Sequence, residues 1–494
     1  MLKIIKNWHI EIYLLLILTI LIFYIKNPLV HWLEGDFENI YFIYNTILTA
    51  NSITPSPIDY PGNSSFSINS IYLKIITLFD KTLIINLDDI IKSTNPTQNF
   101  NKIFNYLKFL QLFYFFISLV FFYNILKYFN LNNKVAFSLT LLLLISYESL
   151  DNIQRYRFDF ESLTFYIIST FFLIYSLKTK QKGKFIFISS FFLCMSIFSK
   201  IIILPLFLTI PLVIYFKKKN EILFFIRDFF LDKQLIIIFF IINFLMIIFS
   251  IFYKYNLILI ISNNLIYLGF FFFYSRYFEN LSDKKNNIYL FIWILGIIFG
   301  LIFMYSQALN FRKILFVSTP YLILENHFTS ISNFTLFDIK LIFKKIKFNF
   351  LEISLLITSI YLILFKKKNI SYADIYLFII FFLYKIILSS KGPPYLNIFP
   401  LFTLFMLVSL NLKEIKNNFV VYAFVILNVV LNFNAITNND FNQRIDNYQR
   451  IGNNETCILK QYKKEDYMAL DINKFFLLYY APKFSDYDFM KKLC

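Results

Sequence analysis

Four places in this chain set charged groups where chemistry could be done. Gly35-Asp36-Phe37-Glu38 follows the first long apolar run, and Arg155-Tyr156-Arg157-Phe158-Asp159 leads into a later one. Lys200 interrupts an apolar stretch, "SKIIILPLFL", and Lys391 stands before Gly392-Pro393-Pro394. A carboxylate so placed takes a proton from an attacking hydroxyl or amine. Cations offset negative charge building on a leaving group such as a phosphate. Arginine's planar fork suits phosphate oxygens, and the chain has 7 arginines against 41 lysines, so two within three residues is a departure from its composition.

Each residue also has a plainer reading. Asp36 fits a hydrated loop carboxylate or a helix N-cap; Glu38 and Tyr41, following on a short helix, favour the catalytic one. Arg155 and Arg157 equally suit an ion pair with Asp159 that caps a helix start. A lysine such as Lys200 at an apolar junction is expensive without an anion to meet, although it also reaches head groups by snorkelling. Glu148 and Asp151 read as ordinary turn acids; Arg312 and Lys313 fit a phosphate contact but better an interfacial helix, and His327 fits a ligand or acid but better a structural histidine. Tyr60 could line a pocket or merely pack. There is no H-E-x-x-H, paired C-x-x-C, P-loop or G-x-G-x-x-G, which disfavours nucleotide-driven chemistry and a structural zinc site.

The elements that must hold these residues are membrane helices. Hydrophobic residues make up 58% of the 494 and mean hydropathy is +0.62. About 20 apolar residues in helix cross a hydrocarbon core, and only helices or closed barrels satisfy their backbone there. Runs such as "LIIIFFIINFLMIIFSIF" are continuous rather than alternating, so an all-α polytopic protein is expected. About thirteen spans are read, near residues 10–27, 108–126, 134–148, 162–178, 184–199, 201–216, 234–252, 256–274, 287–306, 350–365, 372–389, 394–412 and 418–435. The pair at 184–216, split at Ser199-Lys200, also reads as one broken element. The first run is an anchor, since more membrane follows it and no small-residue cleavage site does.

With the amino terminus inside, "KYFNLNNK", "KTKQKGK", both "KKKN" stretches, "SDKKNN" and "LKEIKNN" all fall on the cytoplasmic face. That follows the positive-inside rule and accounts for most of the formal charge of +18. Spread over one face, this charge does not point to nucleic acid. The chain then divides into a transmembrane unit, 1–435, and a polar extracytoplasmic tail, 436–494. The long first outer loop spans about 33–105, and loops of that length are usually functional. In the tail, Cys457 and Cys494 are compatible with a disulfide or with two unpaired thiols. Composition depletes glycine to 8 residues, which makes the survivors informative. Gly35 turns the chain as it leaves the membrane, and the "DYPG" turn at 59–62 has Pro to set one dihedral and Gly to take a positive one.

The order of these features resembles the GT-C superfamily of polytopic glycosyltransferases, in the branch of protein mannosyltransferases and aminoarabinose transferases. The resemblance covers roughly the first 220 residues. It consists of one span, a long outer loop opening on Asp36 and carrying "DYPG", a span pair, "RYRFD" at 155–159, and Lys200 before a Pro-containing helix. "KGPPYLNIFPLF" at 391–402 is similar to the family's late basic, proline-containing segment. Two departures stand out: the acidic pair of the first loop is Asp36-Phe37-Glu38 rather than adjacent, and the turn is "YPG" rather than "HPP" or "PPG". The resemblance implies transfer of a sugar, with inversion, from a polyprenyl-phosphate donor to a lipid, glycan or protein acceptor at the extracytoplasmic face of the inner (plasma) membrane. It implies Asp36 and Asp159 as catalytic carboxylates, and Lys200, Arg155, Arg157 and Lys391 on the donor phosphate. Glu38 and Tyr60 would line the pocket. No cofactor is required by this reading, but Asp36, Glu38 and Asp159 could form an oxygen-rich site for a divalent cation, Mg or Mn.

Two other classes fit a basic polytopic chain. A surface-polysaccharide polymerase or ligase also uses polyprenyl donors but usually has its large outer loop late, and the segment 307–349 keeps that reading open. A lipid-linked-sugar transporter or flippase is expected to show internal repeats and midplane Gly/Pro breaks, and no convincing repeat is found.

Overall fold

The computed structural model describes residues 10–26, 37–52, 62–86, 96–154, 158–211, 288–307, 349–366, 371–390 and 398–412, with single residues at 89, 274, 278, 426, 427 and 430. Among these, all regular structure is helical and no strand occurs. The expected spans 234–252, the body of 256–274 and most of 418–435 lie outside the described residues, as do the tail 436–494 and nearly all of 307–349.

The helices are α1 (Ile10–Lys26), α2 (Phe37–Ala50), α3 (Asn63–Phe79), α4 (Pro96–Tyr128), α5 (Asn133–Leu144) and α6 (Tyr147–Gln154). Then come α7 (Phe158–Ser176), α8 (Lys182–Ser199), a 3-10 helix (Ile201–Leu208), α9 (Ile288–Gln307) and α10 (Phe350–Tyr361), which runs on as a π-helical turn (Leu362–Lys366). The last two are α11 (Tyr372–Ser390) and α12 (Ile398–Leu412). Among the described residues, three stretches are long and apolar enough to cross a membrane: Asn101–Tyr128, Phe158–Ser176 and Lys182–Ser199.

Side-chain placement supports membrane association. On α1, Ile12, Leu15, Thr19 and Ile22 are buried, at spacings of three and four that define one helical face. The other face exposes Ile10, Tyr13, Leu14, Ile17, Ile20, Leu21, Tyr24 and Ile25, all apolar or aromatic. A contiguous apolar face of this extent is a liability in water and an ordinary surface in lipid. α12 is different: nearly every side chain from Ile398 to Leu412 is buried, as expected of a helix apolar all round. It forms the hub against which α7, α10 and α11 pack.

The first long loop is not a loop throughout. It contains α2 and α3, and α4 begins at Pro96, well before the expected start of its span. The segment expected as one turn between the third and fourth spans contains the short helix α6. The expected break at Ser199-Lys200 is present. α8 stops at Ser199, Lys200 is extended (φ −157°, ψ 109°), and the chain resumes as the 3-10 helix around Pro205.

Polar side chains hold the helices together where lipid offers no hydrophobic drive. Ser162 and Ser196, one on α7 and one on α8, each donate to the other's backbone carbonyl, at 2.9 and 2.7 Å. Ser189 repeats this on Ser169 at 2.8 Å. In the 3-10 helix, tyrosines from elsewhere take three successive carbonyls. Tyr376 donates to Pro205, Tyr166 to Leu206 (2.8 Å) and Tyr274 to Phe207 (3.2 Å). Tyr166 of α7 and Tyr376 of α11 thereby brace this proline-containing segment from outside.

α9 approaches α8 through Gly296 and Gly300, spaced as in membrane helix pairs that touch backbone to backbone. A Cβ on Gly296 would stand 1.9 Å from Ser190 Oγ and 2.6 Å from the Phe187 carbonyl oxygen, and one on Gly300 2.9 Å from Cys194 Cβ. Gly296→Ala is therefore expected to destabilise by about 1–3 kcal/mol through overpacking, measured as a lowered midpoint of thermal unfolding in detergent. An unchanged midpoint would mean that α8 and α9 do not meet this closely. Cys194, expected within a span, is a buried free thiol in α8.

Candidate functional site

The chain's antiparallel α7 and α8 bring Asp159, in the first turn of one, beside Lys200, just past the end of the other. The Lys200 Nζ lies 3.0 Å from Asp159 Oδ1 and 3.1 Å from Oδ2. The Asp159 side chain is 8% exposed and that of Lys200 20%. A pair this buried is held by both oxygens and by the helix: the carboxylate at the start of α7 suits the positive end of its dipole. Lys200 thus has the anion that its position demanded, supplied by Asp159.

Gly62, the last residue of "DYPG", packs against Phe198 and Phe158, close in sequence to this pair. Gly62 has φ +135°, a conformation that side chains resist. Its N–H donates to the Phe198 carbonyl at 3.0 Å, and a Cβ there would strike the Phe158 ring at 2.7 Å. The chain then enters α3, where Ser64 bonds Ser199 at 2.6 Å and the Met195 carbonyl at 2.6 Å, and Ser65 bonds Ser199 at 3.0 Å. Phe158 stacks on Phe42 of α2 (3.9 Å between centroids) and meets Phe66 of α3 edge-on (5.2 Å). Thus α2, which starts immediately after Asp36 and carries Glu38 and Tyr41, is anchored against the residue preceding Asp159.

Glu161 lies two residues further along α7 and is 1% exposed. Ser65 and Asn69 of α3 are its polar neighbours, yet among the described residues neither of its oxygens closes a hydrogen bond. The Tyr114 hydroxyl of α4, close enough for the Glu161 charge to act on it, is also buried without a hydrogen-bond partner among the described residues.

A second polar cluster occupies the same end of the bundle. Glu148 on α6 is wholly buried and accepts from the Asn349 side chain. Asn349 caps α10 in a reciprocal capping box with Glu352, and buried Lys385 of α11 donates to the same Glu352 carboxylate. The last carbonyls of α6 face apolar surroundings with no intrahelical donors. Gln111 donates to Asn152 at 2.6 Å and the buried Lys108 to Ile153 at 3.0 Å.

The structure therefore unites Asp159, Lys200 and the Gly62 turn. It places Glu38 on α2, and Asp36, Tyr60, Arg155, Arg157 and Lys391 fall outside the described residues. The reading of Glu148 as a turn acid is corrected: its helix folds inward and buries it. Glu161, Glu352, Lys385 and Lys108 were not singled out in the sequence, although a charged residue inside an apolar run is itself the signal. Among the described residues no three His, Cys, Asp or Glu side chains gather as metal ligands. Of the expected cation ligands, the one described side chain, Asp159, is engaged by Lys200, so no step is assigned to a metal. Compared with known protein families, curated proteins and solved structures, the chain matches none.

Proposed function

We propose that this protein is a membrane glycosyltransferase of GT-C type. It moves a sugar from a polyprenyl-phosphate donor to a lipid, glycan or protein acceptor at the extracytoplasmic face. In this reading the chain crosses the inner (plasma) membrane about thirteen times with its amino terminus in the cytoplasm. The observation that carries it is the Asp159–Lys200 pair, buried at one end of the bundle, with Gly62 packed on the neighbouring Phe158. A carboxylate and an ammonium held side by side out of water are the two charges that such a transfer uses. A phosphate oxygen of the donor competes with Asp159 for the Lys200 ammonium, offsetting the charge that the leaving phosphate develops. Asp36, one residue before α2, is the base that takes the acceptor's proton. Arg155, Arg157 and Lys391 add cations for the phosphate, and Glu38 and Tyr60 line the sugar pocket.

The test is transfer of label from radiolabelled polyprenyl-phosphate sugars in membranes, comparing wild type with Asp36→Asn at equal expression. Transfer in the wild type, lowered at least 100-fold in the variant, is expected for loss of a general base. Normal transfer by Asp36→Asn moves the base to Asp159. A second reading, a transporter of lipid-linked sugars, draws on the buried Glu161 carboxylate within a span, since such groups mark proton and substrate pathways. It replaces the first if no donor is consumed but labelled donor crosses the bilayer of proteoliposomes.

A further inference from the structure

We propose that Glu161 of α7, with Ser65 and Asn69 of α3 and Tyr114 of α4, binds one sodium ion inside the bundle. The helices place these side chains together. Ser65 and Asn69 are four residues apart and so share one face of α3, and both neighbour the Glu161 carboxylate. α4 packs against α3 and against α7. On α7, Phe165 stands one turn beyond Glu161 and meets the Tyr114 ring edge-on, 5.6 Å between centroids. Thr164 donates to the Tyr114 carbonyl at 3.4 Å. Tyr114 is thereby fixed along the face of α7 that carries Glu161, near enough to feel its charge. Ser65 is fixed in turn by its bond to Ser199 at 3.0 Å.

What these oxygens lack points to the ligand. Glu161 Oε1 and Oε2 and the Tyr114 hydroxyl are all buried, and among the described residues none of the three has a hydrogen-bond partner. An ionised carboxylate only accepts hydrogen bonds, and burying one without a counter-charge is costly. No cation among the described residues bears on Glu161. The single hydroxyl hydrogen of Tyr114 serves one carboxylate oxygen at most. A bound cation answers both needs at once. It takes lone pairs from the two carboxylate oxygens, the Ser65 and Tyr114 hydroxyls and the Asn69 side-chain carbonyl. Donors that are all oxygen suit a hard ion. One carboxylate balances one positive charge, so a divalent ion would leave an excess in a dry interior. Five oxygens are also few for potassium, whose sites replace a larger hydration shell, and they suit sodium.

This inference does not depend on what the protein transfers or transports. Its test is thermal unfolding of the purified full-length protein in detergent, with sodium chloride replacing choline chloride at constant ionic strength. A ligand bound only by the folded state raises the midpoint with its concentration. A rise of a few degrees is expected with sodium, a smaller one with potassium, and none in Glu161→Gln. Tyr114→Phe removes one donor and keeps the ring, so it should fold and need about tenfold more sodium for the same rise. A midpoint indifferent to sodium overturns the proposal, because Glu161 is then satisfied by a proton or by the Tyr114 hydroxyl. A rise as large with potassium, or one produced by magnesium or calcium chloride in place of sodium, overturns it as well. So does a sodium response that Glu161→Gln keeps, since the ion would then sit elsewhere. Should Glu161→Gln fail to fold, Tyr114→Phe decides: an unchanged sodium requirement overturns the site.

Discussion

Lys200→Met is expected to destabilise the protein by about 3–5 kcal/mol, the range seen when one partner of a buried ion pair is removed. It leaves Asp159, 8% exposed, as a charge in a place that water hardly reaches. Asp159→Leu combined with Lys200→Met should recover most of that loss, since a buried pair replaced by apolar groups of similar volume is often neutral. Sugar transfer should not recover with it. The ammonium contributes to stability through its pair with Asp159, whereas under the proposed function it also meets the donor phosphate. Thermal unfolding in detergent and transfer in membranes, measured on the single and double variants, separate the two roles. If the double variant regains transfer along with stability, Lys200 has no role with the donor, and the pair is a fastening between α7 and α8.

Lys385→Met is the other large effect. At neutral pH a loss of about 3–5 kcal/mol is expected, since the variant removes the cation bonded to the buried Glu352 carboxylate. The loss should shrink in acid, where protonation neutralises both acids, and grow in alkali. Adding Glu352→Gln to Lys385→Met should restore much of the stability, because the glutamine keeps its acceptor for the Asn349 N–H without the charge. Unfolding midpoints at acid, neutral and alkaline pH check all three statements. A pH-independent loss would mean that Lys385 acts through its packing alone.

Hydropathy located the described long helices closely: residues 162–178 were expected where α7 runs from Phe158 to Ser176, and 184–199 where α8 runs from Lys182 to Ser199. Local chemistry also read true where it depends on backbone alone. Gly62 adopts the positive φ that the "YPG" turn requires, and the helix breaks at Lys200 ahead of Pro205. One pairing across the fold was not legible: Asp159 meets Lys200, 41 residues away. Such a partner is chosen by how α7 docks on α8, and no local pattern encodes that docking. Glu148 illustrates the same limit: its neighbours suggest a polar turn, and helices distant in sequence enclose it. The glycines lie between these cases. Scarcity marked them as meaningful, but nothing in the sequence said that Gly296 would press on Ser190 rather than bend its own helix.

The Asn349–Glu148 bond joins residues 201 positions apart. A chain made from its amino terminus therefore delivers Glu148 long before Asn349, Glu352 or Lys385 exists. During that interval α6 must lie beside the growing bundle with a carboxyl that has none of these partners. A charged form would hold this end of the nascent protein at the aqueous boundary, and a neutral one could settle inward. Arrival of Lys385 then completes the cluster, so the last third of the chain decides when the first third is finished. Truncated chains ending before residue 385 should accordingly leave Glu148 accessible to water, and full-length chains should not.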